Sequence, residues 1–180
     1  MDALVRKLIE NIGDKPTRPS LELTPHRVSK LTREIYYGYE PPVANITRSF
    51  DASRFGVDLV YVKNVFLCST CEHHMMPFFG KASLAYAPAV AVVGLSKIVS
   101  ALNYYSARLQ SQERLAYQVF CCIKRELRPK ALLLKMECKH LCMMVRGVKS
   151  VCGTAGSVVS CGLFNLCLSL KAMAIDALAD

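Results

Sequence analysis

One stretch constrains this chain more than any other: residues 69–81, S-T-C-E-H-H-M-M-P-F-F-G-K. It carries two of the four histidines in the 180-residue sequence, His73 and His74, beside Cys71 and Glu72. A second cluster, Lys139-His140-Leu141-Cys142-Met143, holds a third histidine and another cysteine. The two clusters read as halves of one metal site, which the fold must bring together.

Cys71 and His74 stand three apart, a spacing that lets a thiolate and an imidazole on one tight turn face the same ion. His73 then points elsewhere. His140 and Cys142 are two apart, so on a strand both face one side, and either or both can reach the ion. Four ligands (Cys71, His74, His140 and Cys142) make a closed structural site. Three leave the fourth position to a water whose pKa the metal lowers toward neutrality. Spacing alone leaves both counts open. Mixed sulfur and nitrogen donors favour zinc over magnesium or calcium. Cys68-Ser69-Thr70-Cys71 is also a C-x2-C pattern, which offers Cys68 as a fourth ligand or a redox partner, although no thioredoxin-like βαβ pattern surrounds it. The pairs Met75-Met76 and Met143-Met144 read as packing residues.

Apolar periodicity predicts a helix over 2–13, with Asp2 as a cap and Gly13 as a stop. A second helix is predicted over 25–37, with Thr24 as its cap and Pro25 at its first position. Pro41-Pro42 ends that unit and starts an extended connection. Strands over 57–67 and 81–86 put the first cluster on a turn or bulge between them. Ser96 opens a long helical region, and Ser111 caps a following helix that ends before Pro129. Gln112 and Glu113 then fall in a first turn, where free N–H groups and the helix dipole favour an ionised carboxylate. Residues 131–137 and 143–148 are expected to pair as strands around the second cluster, and 163–178 to form a terminal helix. This order predicts an α+β fold: one domain over 1–180, with an N-terminal helical segment (1–40) and a body (50–180) built on a largely antiparallel sheet.

Composition narrows the partners. Apolar residues make up 52% and charged residues 21% of the chain, an ordinary globular balance. The net charge of +9 calls for a polyanion. The basic residues are scattered, aromatics are not interleaved with them and no nucleic-acid motif is present, so a phosphorylated small molecule is expected rather than nucleic acid. Nine cysteines in irregular spacing, behind a start that does not read as a signal peptide, predict a reducing, cytoplasmic setting. Cys121, Cys122, Cys138, Cys152, Cys161 and Cys167 are expected as small buried apolar residues. The apolar run over 85–95 is too short to span a bilayer and carries Pro88 and Gly94, so no membrane association is expected.

Five blocks in order carry a resemblance: Cys71-Glu72-His73-His74 with Pro77-Phe78-Phe79-Gly80-Lys81; Gly94-Leu95-Ser96-Lys97; Arg108-Leu109-Gln110-Ser111-Gln112-Glu113-Arg114-Leu115; His140-Leu141-Cys142-Met143; and Arg146-Gly147-Val148. With Thr24-Pro25-His26-Arg27, they resemble the GTP cyclohydrolase I family. The resemblance implies a tunnelling fold, in which an antiparallel sheet has helices on one side and subunits join into rings that stack as a homodecamer with interfacial active sites. It implies conversion of GTP and water to formate and 7,8-dihydroneopterin triphosphate, feeding folate or tetrahydrobiopterin synthesis.

By position, the resemblance implies Cys71, His74 and Cys142 as zinc ligands, His140 as proton donor to the purine and His73 as an acid/base partner. Glu113 and Gln112 would hold the purine, Ser96 the ribose, and Lys97, Arg146 and another subunit's Arg27 the triphosphate. Two positions depart from the family: Ser100 stands where an arginine is usual, and Ala107 precedes Arg108 where the family commonly has a second arginine. Two rival readings are another purine nucleotide as substrate and a closed structural zinc module that binds nucleic acid.

Overall fold

The computed structural model describes residues 1–41, 49–51, 56–89 and 91–179, and the connection expected from Pro42 begins outside them. Helix α1 (Asp2–Asn11) buries Val5 and Ile9, one turn apart, and leaves Leu4, Leu8 and Ile12 exposed. Asp2 lies in its first turn without capping it, and Gly13 follows its end with φ +92°. Helix α2 (Thr24–Ile35) starts differently from expectation. Leu23 already has helical angles (φ −89°, ψ −6°), so α2 grows out of the preceding turns and Thr24 is inside the helix rather than its cap.

The body follows as β1 (Ser49–Asp51), β2 (Val60–Cys71), β3 (Pro77–Ala87), β4 (Ala91–Val93), α3 (Leu95–Ser106), β5 (Leu109–Gln110) and α4 (Gln112–Leu127). It continues with β6 (Ala131–His140), α5 (Leu141–Met144), β7 (Ala155–Gly162), α6 (Leu163–Leu166) and α7 (Leu168–Ala177). Strands β1 and β4 form a small pair; the main sheet runs β5-β2-β3-β6-β7, antiparallel except where β5 joins β2. The α+β class expected from the element order is the class observed.

Alternation assigns the two faces of the sheet. Leu84, Tyr86, Leu132, Leu134 and Met136 point toward α3 and α4 and pack with Ile98, Leu102, Leu115, Val119 and Ile123. Each such side chain contributes roughly 1.5–3 kcal/mol by leaving water. Ala85, Ala87, Ala131 and Leu133 point the other way and meet Phe164, Ala174 and Leu178, so α6 and α7 add cover on the face opposite α3 and α4. Helix α4 is capped as its sequence predicts: Ser111 Oγ accepts the Arg114 N–H, and Arg128 takes left-handed angles just before Pro129.

Three further expectations need correction. Residues 143–148 are not a strand. The β6 edge they were expected to join is taken by β7, whose ladder runs from Ala131↔Gly162 to Cys138↔Ala155, while the chain after His140 coils into α5 and a turn with Gly147 and Lys149 at positive φ. The terminal helix over 163–178 is broken at Cys167, whose extended angles separate α6 from α7. The cysteines outside the two clusters are not uniformly buried: Cys122 and Cys138 are, Cys121 and Cys161 are half-buried, and Cys152 and Cys167 are exposed. Burial pushes the Cys138 thiol up to about 12.

Gly80 sits mid-sheet between Leu67 and Cys138. A Cβ there would collide with the Glu137 carbonyl oxygen and come within 2.7 Å of the Cys138 Cα. Gly80→Ala is therefore expected to cost at least about 2 kcal/mol, read as a lower urea midpoint at unchanged slope.

Candidate functional site

Strand β2 delivers Cys71 to the sheet end and β3 leaves again at Pro77, with a tight turn between them. The Cys71 N–H donates to the Met76 carbonyl (2.8 Å), the Met75 N–H donates to the Cys71 carbonyl (2.8 Å), and Met75 takes φ +52°. Two further contacts pin the turn to the start of α4: the Glu72 N–H donates to the Gln110 carbonyl (2.9 Å), and Arg114 Nη1 lies 3.2 Å from Glu72 Oε2. The second cluster arrives from β6, because the ladder places His140 opposite Phe78 and α5 then turns Cys142 back toward Cys71.

The ligand atoms of Cys71, His74 and Cys142 all lie within 4.8 Å of one another, with Cys71 Sγ 3.9 Å from His74 Nδ1. Two thiols and an imidazole at this spacing form the soft and borderline donor set that suits zinc, and they fit the ion the sequence calls for. Burial, and next the neighbouring Cys71 sulfur, push the Cys142 thiol up, while Arg146 pulls it back, which places that guanidinium near the centre. His140 is outside the set. Cys68 is too: three residues from Cys71 along a strand, it faces the opposite side and is exposed. His73 borders the centre rather than pointing away, since the tight turn keeps its Nδ1 4.0 Å from Cys71 Sγ.

The His140 ring stacks on buried Phe78, with centroids 4.7 Å apart, and its Nε2 meets Gln112 Oε1 at 3.0 Å. Burial lowers the His140 pKa, opposed by the negative charge of Glu113, so Glu113 stands close by in the first turn of α4. One end of the sheet thus gathers Cys71, His73, His74, Gln112, Glu113, His140, Cys142 and Arg146. Ser96 and Lys97 are not among them. Ser69 Oγ donates to the Ser106 carbonyl at the far end of α3, and the ten steps from Ser96 to Ser106 span about 15 Å of helix. Arg27 is on α2, which packs against α1 and the 3-10 turn Tyr37–Tyr39. Phe78, Arg114 and Ser157, which hold these groups in place, had no local signal; only strand register and helix packing make them neighbours.

A tetrahedral ion with three protein donors keeps one position open, the arrangement of catalytic rather than closed structural sites. The class defined is an enzyme with a candidate metal site at one end of an antiparallel sheet. The profile of the GTP cyclohydrolase I family matches residues 1–177, and the chain belongs to that family. Relatives named GTP cyclohydrolase 1 include that of Chlorobium chlorochromatii, 38% identical over 91% of this chain and 74% of its own length. That of Methylococcus capsulatus is 36% identical over 98% of this chain and 95% of its own. That of Sinorhizobium fredii is 40% identical over 89% and 79%. Among solved structures, the apo form of the archaeosine synthase QueF-Like overlaps 59% of this chain and 95% of its own, at 18% identity and a TM-score of 0.48, too slight a likeness to carry weight.

Removing one sulfur should separate ligand from bystander. Cys142→Ala is expected to weaken zinc binding by well over tenfold in competition with a chromophoric chelator, whereas Cys68→Ala leaves it unchanged.

Proposed function

We propose that this protein is a zinc-dependent GTP cyclohydrolase, converting GTP and water to formate and 7,8-dihydroneopterin triphosphate on the route to folate or tetrahydrobiopterin. The observation that carries the reading is a three-donor metal set, Cys71, His74 and Cys142, with His140 beside it and engaged by Gln112. Zinc held there supplies Lewis acidity at the purine carbon to be hydrolysed.

The chain's own residues do the rest. Glu113 accepts the adjacent N–H groups of guanine, and Gln112 serves the same end of the site. His140 gives a proton to the purine and His73 exchanges one during ring opening, both imidazoles suited to proton transfer near neutrality. Lys97, Arg146 and Arg27 hold the triphosphate, and Ser96 the ribose.

Ser96 and Lys97 lie about 15 Å along α3 from the metal end, and this favours sites completed by another copy of the chain. Among the described residues, β7 and the 60–69 stretch of β2 carry no strand on their outer sides, edges suited to closing a ring. The assembly proposed is a cytoplasmic homodecamer of one-domain subunits, with no nucleic-acid or membrane partner; no helix among the described residues is long and apolar enough to cross a membrane. Ser100 favours a second reading, another purine nucleotide as substrate: its hydroxyl donates to the Ser96 carbonyl (2.8 Å) and offers no cation to a phosphate.

Zinc-loaded protein incubated with GTP is expected to release formate and, after oxidation, a fluorescent pterin. His140→Ala should keep its zinc and lose turnover by about 10²- to 10⁴-fold. Formate without pterin would move the fault to the ribose and phosphate contacts, and neither product from assembled, zinc-bound protein would exclude GTP and send the search to other purine nucleotides.

A further inference from the structure

His140 ends β6 with its ring nearly parallel to that of Phe78, 7° between planes, and its Nε2 lies 3.0 Å from Gln112 Oε1. That contact alone leaves the proton unassigned, because an amide can be built either way round. The other end of the amide decides. Gln112 Nε2 lies 3.3 Å from the Met136 carbonyl oxygen, 3.0 Å from the Ala155 carbonyl oxygen and 3.0 Å from Ser157 Oγ. The two carbonyls can only accept. Turned round, the amide would set its oxygen against both of them at a residue only 2% exposed, leaving buried acceptors unsatisfied. Gln112 Oε1 therefore faces the ring, and since it too can only accept, His140 Nε2 carries the hydrogen. The lone pair of the neutral ring is then on Nδ1, which has no hydrogen-bond partner among the described residues.

We propose that Gln112 is a positioning residue that locks His140 in the Nε2–H tautomer and makes Nδ1 the nitrogen that exchanges a proton with the purine. The second half rests on the GTP cyclohydrolase reading; the tautomer lock does not. For the exchange the neutral ring first takes a proton from solvent at Nδ1 to give the imidazolium; that Nδ1–H bond then breaks as a purine nitrogen gains the proton, and His140 returns to the neutral Nε2–H ring. With its NH2 held by Met136 and Ala155, Gln112 acts on the substrate through His140 rather than by touching it.

The test is solid-state 15N NMR of zinc-loaded, histidine-labelled protein at pH 8, with the His140 signals assigned by their loss in His140→Asn. A pyrrole-type Nε2 and a pyridine-type Nδ1 are expected. Gln112→Met, close in volume but without the acceptor, should give a tautomer mixture and lower kcat for GTP about 10- to 100-fold with KM unchanged. A pyridine-type Nε2 in the unsubstituted protein, read at a pH where the ring is neutral, overturns the lock, and this spectrum decides even if the variant fails to fold. A variant with a raised KM and an unchanged tautomer overturns the role of Gln112, since it would then contact the purine. An Nε2–H ring in protein that makes neither formate nor pterin overturns the proton-exchange half alone.

Discussion

Everything at the site depends on the register of one ladder. Strand β3 is hydrogen-bonded on both sides, to β2 from Val60↔Tyr86 to Thr70↔Pro77 and to β6 from Phe78↔His140 to Ala87↔Ala131. Those end pairs bring the Cys71 turn, Phe78 and His140 to the same end of the sheet. A slip of one residue would turn His140 to the other face and put Lys139 in its place. The register is held by burial on both faces, with Tyr86, Leu132 and Leu134 under α3 and α4, and Ala85 and Leu133 under α6 and α7. Placing the donor atoms thus falls to a core in which, among the described residues, only Cys71 and Cys142 at its rim are candidate metal ligands.

What was legible in the sequence was what local chemistry decides. Ser111 caps α4 because a hydroxyl accepts a free N–H wherever a helix begins, and Glu113 follows in the first turn by spacing alone. Cys71 and His74 face one another because the turn between β2 and β3 is short. What was not legible depends on partners distant in sequence. The strand that pairs with β6 beyond the second cluster lies over 155–162, a segment rich in glycine, because that edge was open to it; the Val145 and Val148 stretch has more strand character but lies in turns. His140 and Cys142 share a spacing that allowed both to be ligands. In the structure Cys142 stands with Cys71 and His74, while His140 is engaged by Gln112, 28 residues away.

Charge is distributed on the same plan. The metal end gathers thiols, imidazoles and Glu113, with Arg146 acting on the Cys142 thiol and Arg114 paired with Glu72, while Lys97 stands at the opposite end of α3 and Arg27 on α2. Helix α3 cannot bend to close that gap, because Ile98, Ala101 and Leu102 are buried along it and would have to leave the core. Reshaping it would expose two large apolar side chains, at roughly 1.5–3 kcal/mol each, and break backbone hydrogen bonds as well. On the proposed reading, a second copy of the chain would bring its own Lys97 to the first copy's metal site without disturbing either fold. For a substrate with a purine at one end and a triphosphate at the other, assembly would then be part of the active site: a monomer could carry every residue the proposed chemistry needs and still hold them too far apart to act together.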